Sequence, residues 1–182
     1  MTLSLRHITL GLQMRYSSSM MAIERKPRMQ RVLFVCHGNI CRSTMAESVF
    51  TELVRQAGRS DEFVIDSAAT STEEIGNSPH YGTVTKLRQM GVPLVPHRAR
   101  QVRGDEYSDW DLIIGMDDAN MRNLRRIFKH EPEAQADGCA KVIKLLSLIG
   151  SDRDVADPWY TGNFDVTYED VLAGCEGLLK QL

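Results

Sequence analysis

Val32-Leu33-Phe34-Val35-Cys36-His37-Gly38-Asn39-Ile40-Cys41-Arg42-Ser43 is the stretch from which the fold can be read. Four consecutive apolar residues followed by Cys, Gly and Asn read as a buried strand of a parallel sheet that turns sharply. The run Ser43–Gln56 that follows is helix-forming, with Ala57-Gly58 placed to close it. A strand-to-helix turn of this kind gathers backbone N–H groups at the positive end of a helix, which makes an anion site. Arg42, six residues after Cys36, adds a planar fork of donors matched to two phosphate oxygens. Such a setting favours thiolate over thiol. A thiolate inside an oxyanion cradle is a nucleophile aimed at phosphorus.

Outward from this loop, strand-like and helix-like runs alternate, the pattern of a parallel sheet flanked by helices. The expected strands are 31–35, 62–66, 111–115 and 141–146; the expected helices are 43–56, 79–89, 118–129 and 165–180. Met90-Gly91 is placed to close the second helix. Asp66-Ser67 and Asp117-Asp118 fall at strand ends, at the carboxyl edge where open α/β sheets bind ligands.

The same residues resemble the signature of the low-molecular-weight protein tyrosine phosphatases. So do Asp66-Ser67-Ala68-Ala69-Thr70, His97-Arg98-Ala99-Arg100-Gln101, Met116-Asp117 and Asp157-Pro158-Trp159-Tyr160, in the family's order across residues 30–182. The resemblance implies a four-stranded parallel sheet of order 2-1-3-4 with the phosphate-binding loop, His37, Gly38, Asn39, Ile40, Cys41 and Ser43, after the first strand. It implies a metal- and cofactor-independent hydrolase in which Cys36 attacks, Arg42 binds the phosphoryl oxygens, and Asp157 protonates the leaving oxygen and then activates water. By the same resemblance Ser67 and His97 support Asn39, Asp117 orients Arg42, and Trp159 and Tyr160 wall a slot for an aryl ring.

Residue types alone leave plainer roles open. Asp157-Pro158 reads as a turn, Asp117 as a helix cap, His97 as a surface histidine and Ser67 as a turn hydroxyl. Trp159-Tyr160 reads as core, and Asn39 as a residue chosen for its tolerance of left-handed backbone.

Two positions depart from the eukaryotic relatives' pattern. His37 stands where an aliphatic residue is common and Glu73 where an aromatic is; both are expected at the pocket mouth. Glu73-Glu74 would disfavour acidic sequences around the phosphotyrosine, and a solvated acidic loop is the plain alternative. Ile40 favours the tyrosine reading, because arginine phosphatases of the same fold carry Thr there. A thioredoxin-coupled arsenate reductase shares the loop but needs two further cysteines close in sequence, and Cys139 and Cys175 are far apart. A non-catalytic phosphoprotein-binding or redox-sensing module would be expected to lack Cys36 or Asp157.

The chain has 182 residues, a formal net charge of −2 and four cysteines. That supports one domain and gives no pointer to nucleic acid or a membrane surface, and the cysteine spacing fits neither a metal site nor a secreted scaffold. No apolar run reaches the roughly 18 residues of a membrane span. A cytoplasmic, reducing location follows as the expectation, with phosphotyrosine proteins as substrates and a tyrosine kinase as counterpart. Cys41 is the expected redox partner of Cys36 through a reversible disulfide. Residues 1–29, with five Arg or Lys and one acid, read as a disordered leader or an over-extended start before a domain at 30–182.

Overall fold

The computed structural model describes residues 29–182. The leader reading of residues 1–29 therefore lies, but for Met29, outside the described residues. Among these, β1 (Gln30–Cys36), β2 (Phe63–Ala69), β3 (Leu112–Gly115) and β4 (Val142–Lys144) form one parallel sheet of order β2-β1-β3-β4. The helices are α1 (Arg42–Gln56), α2 (Tyr81–Gln89), α3 (Asp118–Ile127), α4 (Pro132–Asp137), α5 (Pro158–Thr161) and α6 (Phe164–Gln181).

The period-2 alternation of β1 decides the layers. Val32 and Phe34 pack on one face with Met45, Val49 and Phe50 of α1 and Val171 and Leu178 of α6. Leu33 and Val35 pack on the other with Tyr107, Leu124 and Phe128. All four strand residues are fully buried, which is why the run reads as unbroken hydrophobe.

The structure corrects several boundaries. β2 runs on to Ala69, because Ser67, Ala68 and Ala69 pair with Phe34, Val35 and Cys36. Asp66 and Ser67 are thus inside the strand rather than after it. The expected strand 141–146 stops at Lys144 and continues as a 3₁₀ turn, Leu145–Ile149. The ladder ends where Lys144 pairs with Gly115, the last residue of β3, and the turn packs the fully buried Leu145 and Leu146 with Val171, Cys175 and Leu178 of α6. α2 starts at Tyr81 because His80 caps it, Nδ1 accepting the Gly82 N–H at 3.1 Å. Gly58 and Gly91, both at φ 70°, follow the ends of α1 and α2. α3 ends at Ile127, and α4 and α5, each opened by a proline, lie where no helix was expected. No helix among the described residues is long and apolar enough to cross a membrane.

Candidate active site

Cys36 ends β1 and is almost completely buried. The loop after it is stitched to its neighbours: the Cys36, His37 and Ile40 carbonyls accept N–H bonds from Thr70, Ser71 and His80 at 2.9, 3.0 and 2.8 Å. Asn39 turns the loop with φ at 58°, in the left-handed region, and its N–H donates to Cys36 Sγ at 3.3 Å.

The Asn39 amide is fully engaged. Its Nδ2 donates to Ser43 Oγ at 3.0 Å and Ser67 Oγ at 2.8 Å. Its Oδ1 accepts the Arg100 N–H at 3.1 Å and faces His97 Nε2 at 2.7 Å. A backbone N–H can only donate, so that oxygen is the acceptor and His97 Nε2 carries the proton. Ser43 Oγ, already accepting from Asn39, lies 3.1 Å from Cys36 Sγ with its own proton available to the sulfur. A directed chain runs from His97 through Asn39 and Ser43 to the thiol. Ser67 in turn donates to Glu47 Oε2 at 2.6 Å, and His97 Nδ1 lies 3.4 Å from the same carboxylate. Burial pushes Glu47 up to about 7 against the Ser67 hydrogen bond, and holds His97 below its ordinary value against the pull of Asp66.

Arg42, its side chain 4% exposed, is gripped on both sides. Nη1 donates to Asp117 Oδ2 at 2.6 Å and Nη2 to Asp157 Oδ2 at 2.5 Å. Burial works against its charge, and Cys36, Asp157 and Asp117 together outweigh that, holding the guanidinium above its ordinary value. Each carboxylate has a second duty. Asp117 Oδ1 caps α3 by accepting the Asn120 N–H at 2.6 Å, and Asp157 Oδ1 caps α5 by accepting the Trp159 N–H at 3.1 Å. Helix capping and Arg42 orientation were the alternatives for Asp117 in the sequence, and its two oxygens have the geometry for both.

Cys36, Arg42 and Asp157 line a pocket whose walls include Ile40, Trp159 and Tyr160 and whose mouth carries His37, Glu73 and Glu74. Trp159 and Tyr160 are 60% and 84% exposed, so they are not core. His80, stacked on Phe164 at 5.3 Å, buttresses Trp159 edge-on at 6.1 Å. His37 Nε2 and Glu73 Oε2 are paired at 3.0 Å, while Glu74 accepts from Asn77 at 2.6 Å. Cys41 is buried in the loop, its thiol pushed up to about 12 by burial first and then by the nearby Cys36 and Asp157.

Every predicted site residue lies in this pocket or in the network behind it. His97 is no surface histidine; its side chain is 6% exposed. Glu47, Arg100 and His80 were missed. A signal for Glu47 existed: it lies four residues after Ser43, on the face of α1 turned toward the loop, where a lone carboxyl among apolar residues needs a partner. Glu47, Asp66 and His97 bring candidate metal-ligand atoms within 4.8 Å of one another. Ser67, Arg100 and Asn39 already engage those three side chains.

A Cys and an Arg six residues apart, at the carboxyl edge of a parallel sheet with two aspartates on the guanidinium, define the class of cysteine-based phosphatases. The profile of the family "Low molecular weight phosphotyrosine protein phosphatase" matches residues 31–182. The chain belongs to that family. It is 39% identical over 154 residues to the low molecular weight phosphotyrosine protein phosphatase of Mus musculus, covering 82% of this chain and 94% of the relative. It is 40% identical over 153 residues to the low molecular weight protein-tyrosine-phosphatase YfkJ of Bacillus subtilis, covering 83% and 94%. The crystal structure of YfkJ superposes with a TM-score of 0.79 at 39% identity, covering 86% of this chain and 96% of that one. The Drosophila arginine phosphatase DARP matches with a TM-score of 0.74 at 30% identity, covering 82% and 96%.

Proposed function

We propose that this protein hydrolyses phosphotyrosine in proteins through a phosphocysteine intermediate on Cys36. One observation carries the reading: the thiol chain from Asn39 and Ser43, the Arg42 fork and the Asp157 carboxylate meet in one pocket. The Cys36 sulfur attacks phosphorus in line with the P–O bond to tyrosine. Arg42, turned by Asp117, binds two phosphoryl oxygens, the loop N–H groups take up the remaining charge, and Asp157 gives its proton to the departing phenolate. Asp157, now a carboxylate, then takes a proton from water attacking the phosphocysteine, which releases inorganic phosphate and restores the thiolate. Ser43 stabilises that thiolate as leaving group.

Ile40 supports an aryl substrate, since arginine phosphatases of the same fold carry Thr there, and the exposed Trp159 and Tyr160 offer faces on which an aryl ring stacks. The arsenate-reductase alternative lacks support: Cys139 packs with the cluster on one sheet face and Cys175 with that on the other, so neither relays a disulfide outward. All four cysteines are free thiols, in keeping with a cytoplasmic site of action opposite a tyrosine kinase. Cys41 serves as redox partner: peroxide oxidises the Cys36 thiolate to a sulfenic acid, and Cys41 displaces water from it to form the disulfide.

The test is hydrolysis of p-nitrophenyl phosphate and of phosphotyrosyl and phosphoarginyl peptides with EDTA and a thiol reductant present. Wild type should turn over the first two, Cys36→Ser and Arg42→Ala neither. Asp157→Asn should slow poor leaving groups by about 10²–10⁴ and good ones much less. Preference for the phosphoarginyl peptide would overturn the substrate assignment.

A further inference from the structure

The segment that delivers Asp157 is held from α6 by two side chains one helical turn apart. Asp170, its side chain 6% exposed, accepts from Arg153 Nη2 at 2.7 Å and Nη1 at 3.3 Å. It also accepts the backbone N–H of Ala156 at 3.1 Å. Thr167, fully buried, donates its hydroxyl to the carbonyl of the same Ala156 at 2.9 Å. Both polar backbone groups of the residue before Asp157 are thus fixed by one face of one helix. One residue earlier, Val155 is 1% exposed and donates its N–H to the Met116 carbonyl at 2.9 Å. The acid segment is therefore strung between the end of β3 and α6, and of residues 153–157 it is Asp157 that lines the pocket.

With Arg153 62% exposed, its pair with Asp170 adds little net stability; what the two α6 side chains fix is the direction of the Ala156 peptide. We propose that Asp170, assisted by Thr167, is a positioning residue for proton transfer: it sets the place of Asp157 relative to the leaving oxygen without touching substrate. The proposal rests on Asp157 being the general acid. A displacement of about 1 Å at a reacting group can cost a hundredfold in rate, so Asp170→Ala is expected to impair the acid step while leaving Cys36 and Arg42 in place.

The test measures kcat/KM for aryl phosphates spanning poor to good leaving groups. Wild type, Asp170→Ala, Asp170→Asn and Thr167→Val are compared, with Asp170→Ala and Thr167→Val also placed in an Asp157→Asn background. Asp170→Ala should lose about tenfold to a hundredfold on phenyl phosphate and little on dinitrophenyl phosphate, with inhibition by inorganic phosphate unchanged. Asp170→Asn keeps an acceptor for the Ala156 N–H and should recover part of the loss. In the Asp157→Asn background neither substitution should cost anything further, the non-additivity expected of residues acting through one group. Losses that ignore the leaving group, or that add to Asp157→Asn, would overturn the proposal. Should Asp170→Ala fail to fold by circular dichroism, Thr167→Val, of nearly the same shape, decides in the same way. If Asp157→Asn alone shows no leaving-group dependence, the assignment of Asp157 has failed first and the positioning role goes with it.

Discussion

Asn39 does two separable jobs. Its backbone sits at φ 58°, a conformation that costs an ordinary L-residue roughly 1–2 kcal/mol, and its amide joins His97 and Ser67 to Ser43. Asn39→Ala loses both the backbone tolerance and the amide; Asn39→Gly loses only the amide. Denaturant unfolding should therefore show Gly about 1–2 kcal/mol more stable than Ala, with both crippled in kcat/KM. A glycine variant with wild-type turnover would refute the amide's role. Cys41 makes a second case at this scale. With its pKa near 12 it is a neutral thiol at pH 7, so iodoacetate at that pH should label Cys36 and spare Cys41. Peroxide-inactivated wild type should recover in dithiothreitol; Cys41→Ser should not, because its Cys36 passes on to sulfinic acid. Equal recovery of both would remove Cys41 as the resolving thiol.

Helices and strands were legible where local chemistry decided them. β1 and α1 declare themselves through an unbroken apolar run, a Gly-Asn turn and a helix-forming stretch closed by glycine. β4 did so only in part, because an edge strand of three residues carries too little periodicity for its end to be told from the 3₁₀ turn after it. α5 was hidden for a related reason: Pro158 marks a first helical position as readily as a loop, and only four residues follow the pattern. The close fit of α6 against the 145–149 turn is a further element-level feature. A Cβ on Gly174 would lie 2.4 Å from Leu145 Cγ, and one on Gly177 2.6 Å from Ile149 Cγ2. Gly174→Ala should destabilise by about 1–3 kcal/mol through overpacking, despite alanine's better helix propensity. A gain in the denaturant midpoint would show that Leu145 repacks freely.

At the scale of the whole molecule, the sheet separates stability from chemistry. The site gathers at the carboxyl edge, while the cores on both faces extend away from it. Leu178, 1% exposed near the far end of α6, belongs to the core only. Leu178→Ala should cost about 2–5 kcal/mol in stability while kcat of the folded enzyme stays at the wild-type value; a comparable loss in kcat would mean the far core governs the site. The division also explains what the sequence concealed. Cys36, Asn39 and Arg42 share one loop and one helix start, so a single segment displays them. Arg100 and Asp170 act through partners that only the folded sheet and α6 bring within reach, and no local pattern marks such pairs.

The hold of α6 on the Ala156 peptide has a consequence for how the activity comes into being during synthesis. The ribosome delivers the nucleophile early and α6 last among the described elements. Until that helix has left the exit tunnel and docked, the segment bearing Asp157 lacks both bonds at Ala156 and keeps only the Val155 N–H bond to the Met116 carbonyl. On the proposed role of Asp170, a nascent chain stalled short of α6 works without an aligned Asp157, and full activity waits for that helix to dock.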